Sequence, residues 1–354
     1  MKPMPAISID TFFACSLMVL LVLSAMTAAA RILQPLINTP TNLEAAQRLG
    51  EIAKQILLYA GKPADWGRSG QMVPEEFGLA EAGADSPYTL DIDKVSRLNS
   101  ENIYGLSYAQ IFTGLKAPDL SFRIEIKPVF NVNVNLTSVS EGLEERTYTF
   151  KVATEKDSGV KVSTVLKAYV LAETILQAHT IQNVNGETSF NVTLPKSLES
   201  PAVLVVFAKS THSSRIFSHS VYAFAQSGKP APEGAFLRLS PLNHTLSVTS
   251  TSTEIVLGKV YALTFDNVWE LPQTGDKVFS IPRAVDPGPM VLVVFGSNAA
   301  QPFIEWTAYP QIPLQIGVDF ASLLNSSDVY AYEHLVNIGY GIYKCTILIG
   351  GSKT

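Results

Sequence analysis

The stretch PAVLVVFAKS, residues 201–210, and its near copy PMVLVVFGSN, residues 289–298, decide how the chain is read. In each, a proline opens a run of six apolar residues that then gives way to polar ones. A strand with one wet face alternates apolar and polar side chains, whereas an unbroken apolar run needs cover on both faces. Both strands are therefore expected in the middle of a layered β structure, away from any exposed edge.

The likeness extends well beyond the two runs. SPAVLVVFAKSTHSSRIFSHSVYAFAQ at 200–226 matches GPMVLVVFGSNAAQPFIEWTAYPQ at 288–311, with Pro201 on Pro289. Each run leads through a polar loop to an alternating strand that ends near Tyr222 or Tyr309. Upstream, KAYVL at 167–171 and KVYAL at 259–263 keep nearly the same spacing. Three matched elements in order indicate an internal duplication.

Further strands follow from period-two alternation. Phe122, Ile124 and Ile126 alternate with Arg123, Glu125 and Lys127, and RTYTFKVA, VKVSTVLKAYVL and TSFNVTL read the same way. KDSG and NVNGE are the turns between them. The expected organisation is a first antiparallel β-sandwich over 119–226, a Pro/Gly-rich linker SGKPAPEG over 227–234, and a second sandwich over 235–354. A C-terminal hairpin turning between Asn337 and Gly341 is expected to close the second sandwich. This architecture resembles immunoglobulin-like or carboxypeptidase-regulatory-like modules, a likeness of fold that carries no chemistry. The fold class is α+β, mainly β, because the residues before 119 read as helical.

Composition agrees and narrows the function. A chain of 354 residues suggests two or three domains. Only 16% of residues are charged, against about 25% in typical soluble proteins. The remainder is rich in Val, Thr, Ser, Asn and aromatic residues, which favours strands. A net charge of −5 without a basic stripe argues against nucleic acid as a partner. Cys15 and Cys345 are the two cysteines, too few for a disulfide framework or a Cys/His metal spacing.

The N-terminal stretch AISIDTFFACSLMVLLVLSAMTAAAR, residues 6–31, holds an uncharged run from Thr11 to Ala30. As a helix rising about 1.5 Å per residue it spans roughly 30 Å, the thickness of a bilayer core. One reading is a cleaved secretion signal, with Lys2 before the run and Ala28-Ala29-Ala30 as the cleavage site. A second is a plain single-pass anchor with its N-terminus cytoplasmic and the bulk extracytoplasmic. A third rests on AISID: this stretch before a long apolar helix resembles the class III signal peptide of archaeal type IV pilin-like surface proteins. The resemblance implies cleavage of MKPMP between Pro5 and Ala6, leaving Asp10 as the fifth residue of the mature chain. Asp10 would then pair with the freed α-amino group of a neighbouring subunit during assembly. An acid beside a helix N-terminus is also favoured by the helix dipole in any anchored protein.

Residues 1–34 are thus leader and transmembrane helix, and 35–61 an amphipathic stem. Leu43, Ala46, Leu49, Ala53, Ile56 and Leu57 share one face at helical spacing, and Gly61 and Pro63 stop the helix. Residues 62–118 read as a helical and loop-rich connector. Its pattern is Gly-x-Pro-x-Asp-Trp-Gly at 61–67, Phe-Gly-Leu-Ala at 77–80 and Leu-Asp-x-x-Lys-Val-x-Arg-Leu at 90–98. It resembles the segment after the membrane helix in the same archaeal proteins, so that the likeness covers about residues 6–128. From the residues alone, Trp66 is a packing anchor under a loop. Asp91 and Asp93 read as the solvated start of a short helix rather than as metal ligands, and residues 101–116 as another short helix.

No catalytic signature accompanies this frame. His179, His212, His219, His244 and His334 form no HExxH, and neither a Gly-x-Ser-x-Gly nor a phosphate-binding loop occurs. His212 and His219, with Ser213, Ser214 and Ser218 near them, read as solvated loop residues. Glu333 and His334, adjacent in a strand, face opposite sides. Asn135, Asn191, Asn243 and Asn325 head Asn-x-Ser/Thr sequons, consistent with a glycosylated exported chain. The expectation is a non-enzymatic surface protein, structural or adhesive, with no metal or cofactor. Its partners are the bilayer through residues 11–30 and other pilin-like subunits. The alternative is a secreted or anchored ligand-binding module or carbohydrate-active enzyme whose residues form no motif.

Overall fold

A computed structural model describes residues 17–19, 21–24, 26, 43–172, 174–198, 200–224, 234–283, 288–299, 301–320 and 329–351. The chain divides into two compact units, Met1–Glu51 and Ile52–Thr354. In the first, residues 17–19, 21–24 and 26 are helical. Among the described residues no helix is long and apolar enough to cross a membrane, and the rest of the expected span over 11–30 lies outside them.

The chain is mainly β: among the described residues, helices occur only before residue 120, and the strands build five sheets. Of the expected 35–61 stem, Leu43–Leu58 is helical, 59–61 follow it without helical structure, and 35–42 lie outside the described residues. On the C-terminal half of the helix Ala53, Ile56 and Leu57 are fully buried, as their shared face requires.

Two of the sheets face each other across one apolar core to make the first sandwich. The outer sheet holds Asn131–Glu141, Glu145–Glu155 and Glu187–Pro195 in that order. The inner sheet runs Thr174–Asn185, Ser163–Ala172, Ala202–Ser210, Phe217–Phe224. The second sandwich repeats this connectivity. Its outer sheet starts with the hairpin Leu237–Leu242 and Thr245–Ser250 and is completed by Val278–Ser280 and Gln273–Gly275. Its inner sheet runs Val268–Glu270, Ile255–Leu263, Met290–Asn298, Gln301–Tyr309. Register is shared as well: Tyr169 pairs with Val205 in one copy and Tyr261 with Val293 in the other. The duplication read from the sequence is thus a duplication of sheet topology.

The two inner sheets pack against each other, which explains the unbroken apolar runs. Leu204 and Val206 point into the first sandwich and Leu292 and Val294 into the second. Val203, Val205 and Phe207 meet Val291, Val293 and Phe295 between them. All ten are at most 4% exposed, so both faces of both strands are dry. Each such side chain contributes about 1.5–3 kcal/mol of burial free energy. The layers therefore stack outer, inner, inner, outer.

A third body departs from the expected division. Leu120–Pro128, assigned by alternation to the first sandwich, instead pairs along its whole length with Gly341–Gly351. The C-terminal hairpin, Val329–Ile338 with Gly341–Gly351, therefore does not close the second sandwich. It forms a five-stranded sheet with Leu120–Pro128, Leu314–Gly317 and the short parallel strand Thr89–Leu90. Alternation reveals that a strand has one buried face, but not which strand lies beside it. The long strand Thr174–Asn185, paired with Ser163–Ala172, was not anticipated either.

Candidate functional site

The Asp65-Trp66-Gly67 motif and the Leu90–Leu98 stretch meet in one buried cluster. Asp91 caps the helix Ile92–Ser96 by accepting from the backbone N–H of Asp93 and Lys94, both at 3.0 Å. This short helix aims Lys94 and Arg97 inward, and both are essentially unexposed. Lys94 Nζ donates to the carbonyls of Ala60 and Ala80, each at 2.7 Å. Arg97 reaches four carbonyls: Nε donates to Tyr104 O at 2.8 Å, and the guanidinium ends donate to Trp66 O, Ser69 O and Gly70 O at 2.6, 2.8 and 3.3 Å.

Between the two cations lies Trp66, fully buried, with Nε1 donating to Gly78 O at 3.1 Å. The Lys94 ammonium and the Arg97 guanidinium are 5.9 and 5.4 Å from its ring centroid. Burial lowers the proton affinity of both cations, that of Arg97 to about 10. Carbonyl dipoles, not carboxylates, thus supply most of the solvation that water would. Gly67 is required by close approach, since a Cβ there would lie 2.6 Å from Lys94 Cγ and 2.8 Å from Lys94 N. Gly61 is required twice over, by φ +83° and by Glu76 O at 2.8 Å from a would-be Cβ.

Asp93 is not the solvated residue expected from its alternation. It is 6% exposed, and its Oδ1 accepts from Asn243 N at 2.8 Å and Tyr309 Oη at 2.9 Å. Burial raises its pKa, against the pull of those two hydrogen bonds. Burial also raises the Tyr309 phenol and lowers the neighbouring His244 imidazole. The contact ties the cluster to the second sandwich, as do Asn102 Nδ2 to Pro241 O at 3.1 Å and Ile103 N to Ser240 Oγ at 3.0 Å. This polar cluster is buried and joins the connector to the second sandwich.

An open groove lies beside it. Phe217–Phe224 and Gln301–Tyr309 are edge strands of the two inner sheets, and the Asn99–Glu101 loop approaches both. One cavity of about 240 Å³ lies among Asn99, Glu101, His219, Val221, Trp306 and Gln311. A second, of about 340 Å³, lies among Glu101, Arg238, Leu239, Glu305, Trp306 and Thr307. Glu101, Trp306 and Thr307 line both.

The floor of this groove is held rigidly. Gln311 Nε2 donates to Thr307 Oγ1 at 3.1 Å and to Leu239 O at 3.2 Å, while its Oε1 accepts from Asn102 Nδ2 at 2.7 Å. Glu305, 2% exposed, spends both oxygens on the backbone N–H groups of Phe236 and Leu237, at 2.6 and 3.0 Å. Burial still raises its pKa. Its role is to fix the outer sheet to the inner one. His219 is neutral at physiological pH, since burial lowers its pKa to about 4. No described residue hydrogen-bonds to its ring, which lies 6.1 Å from that of Phe207. His219 therefore sits on an inner-sheet strand, not in the solvated loop expected for it.

The residues singled out in the sequence do not converge on this groove. Pro5, Ala6, Asp10 and Asn325 lie outside the described residues. Asn135 and Asn191 are exposed on the outer face of the first sandwich, and Asn243 is exposed in the turn between Leu242 and Thr245. Among the described residues no three His, Cys, Asp or Glu side chains gather as metal ligands. Cys345 is buried, and its thiol is pushed up to about 12 by burial. Glu101, Trp306 and Gln311 were missed because they are far apart in sequence and belong to no motif.

No protein-family model matches the chain, and no curated protein matches it. Among solved structures it is similar to HBP35 of Porphyromonas gingivalis at 12% identity and a TM-score of 0.20. That likeness covers 54% of this chain and 64% of the other, less than two thirds of its length.

Proposed function

We propose that the chain is a membrane-anchored extracytoplasmic surface protein of pilin-like build, structural or adhesive, held and assembled through its N-terminal helix. The observation that carries this reading is an apolar helical segment without apolar cover. Leu17, Met18, Leu21 and Met26 are each more than 60% exposed, a surface that calls for lipid or neighbouring helices. The two sandwiches, immunoglobulin-like in packing two antiparallel sheets of three or four strands face to face, would stand outside the membrane. Exposure of Asn135, Asn191 and Asn243 suits sequons that a glycosylating enzyme must reach.

N-terminal sequencing of the protein from its native membrane tests the reading. Processing at Ala6 predicts a chain beginning at that residue, with Asp10→Ala abolishing assembly while leaving the folded body intact. A mature N-terminus at Arg31 would overturn the membrane role and with it the pilin-like build.

A further inference from the structure

We infer that the groove astride Trp306 binds carbohydrate, taking at least two pyranose rings of a glycan, one on each side of Glu101 and Trp306. This goes beyond the surface-protein reading and stands or falls separately from it.

Four observations lead there. First, two open cavities of about 240 and 340 Å³ adjoin at Glu101, Trp306 and Thr307, which line both, and each is near the lower end of the usual range of small-molecule sites, about 300–1,000 Å³. Second, the groove lies where three bodies meet: the connector loop with Asn99 and Glu101, the first sandwich with His219, and the second with Trp306. Ligand sites concentrate at such junctions.

Third, its chemistry is mixed in the way a sugar demands. The indole of Trp306 is only partly buried and offers an apolar surface to ring C–H groups, with Val221 opposite on the neighbouring edge strand. Polar groups predominate around it. A free carboxylate (Glu101), a guanidinium (Arg238) and the half-buried amide of Asn99 can accept from and donate to vicinal hydroxyls. Fourth, the His219 ring faces the groove with no described hydrogen-bond partner, and a sugar hydroxyl could either donate to it or accept from it.

A peptide is the less fitting occupant. An extended peptide would find free backbone groups on the edge strands Phe217–Phe224 and Gln301–Tyr309, which makes a peptide the competing probe. It would require a deep apolar socket for an anchoring side chain, whereas the cavity beyond Trp306 is bounded by Arg238, Glu305 and Glu101.

The test is saturation-transfer NMR on the full chain in detergent, with maltose, cellobiose and chitobiose as probes and the tripeptide Gly-Trp-Gly as the competing class. Transfer to the ring protons of at least one disaccharide is expected. Glu101→Gln, at an exposed side chain that hydrogen-bonds to no described residue, should weaken it about tenfold at unchanged Tm. Trp306→Phe should weaken it by a similar factor; should that variant unfold, Glu101→Gln alone decides. No transfer from any disaccharide at about 10 mM, equal transfer in wild type and Glu101→Gln, or transfer to the tripeptide alone would each overturn the inference.

Discussion

The stacked inner sheets and the Trp66 cluster are both fully buried, yet they are built on opposite principles. Between the sandwiches, Val203, Val205 and Phe207 face Val291, Val293 and Phe295 with no polar partner to satisfy. In the cluster, Lys94 and Arg97 are equally inaccessible and are held by six backbone carbonyls from four stretches of the chain. Apolar packing is non-directional and tolerates substitution if volume is kept. A buried guanidinium is directional, and every acceptor it leaves behind is stranded away from water. One region can be repacked; the other can only be kept or lost.

The largest test of that contrast is Arg97→Met, which keeps the bulk and strands the carbonyls of Trp66, Ser69, Gly70 and Tyr104. It is expected to cost at least about 4 kcal/mol in urea unfolding, or to prevent folding. Arg97→Lys should recover only a minor part, because one ammonium cannot reach four divergent acceptors. Full recovery by lysine would show that charge, not fork geometry, is what the cluster needs.

Phe207→Ala comes next, at about 3–5 kcal/mol, through the cavity it opens between the sandwiches. Its counterpart sharpens the comparison: Leu263→Met, in the same core, is expected to cost less than about 1.5 kcal/mol, since apolar swaps of similar volume are absorbed. Gly67→Ala should fall between those two, at about 1–3 kcal/mol, because the new methyl must displace Lys94. A neutral Gly67→Ala would mean that the cluster yields as easily as the sheets do.

The smallest effect is on pH dependence. His219 titrates near its ordinary value of 6.5 when unfolded and at about 4 when folded, so the unfolded chain binds more protons between those limits. The stability this histidine contributes is complete above pH 6.5 and lost as pH falls toward 4. His244, lowered by burial, acts in the same direction, while Asp93, raised by burial, acts oppositely. His219→Gln should therefore flatten the fall of Tm across that window without reversing it. An unchanged slope would mean that the imidazole is as free to protonate in the fold as out of it.

Much of the β architecture was legible because local chemistry carries it. The unbroken runs at 202–207 and 290–295 could only be strands covered twice, and the order of apolar and tyrosine-bearing segments around them marked the duplication. The helix cap at Asp91 and the packing of Trp66 could also be read locally. The partner of Leu120–Pro128 could not, since its alternating pattern fits any sheet with one dry face. Nor could the burial of Asp93, whose two hydrogen-bond donors, Asn243 N and Tyr309 Oη, lie far along the chain.

The sequence by itself thus determined most strands of the first sandwich, which strands lack a wet face, that the sandwich is present twice, and that an apolar run precedes the folded body. Those properties follow from periodicity and hydrophobicity, which each segment carries alone. Only the tertiary structure decided that the second cover of each apolar strand is the other sandwich and that the C-terminal hairpin returns to Leu120–Pro128. It alone brought Glu101, His219 and Trp306 to one groove. Those outcomes depend on pairing between distant segments, which is set by the packing of whole faces and by where hydrogen-bond donors come to rest.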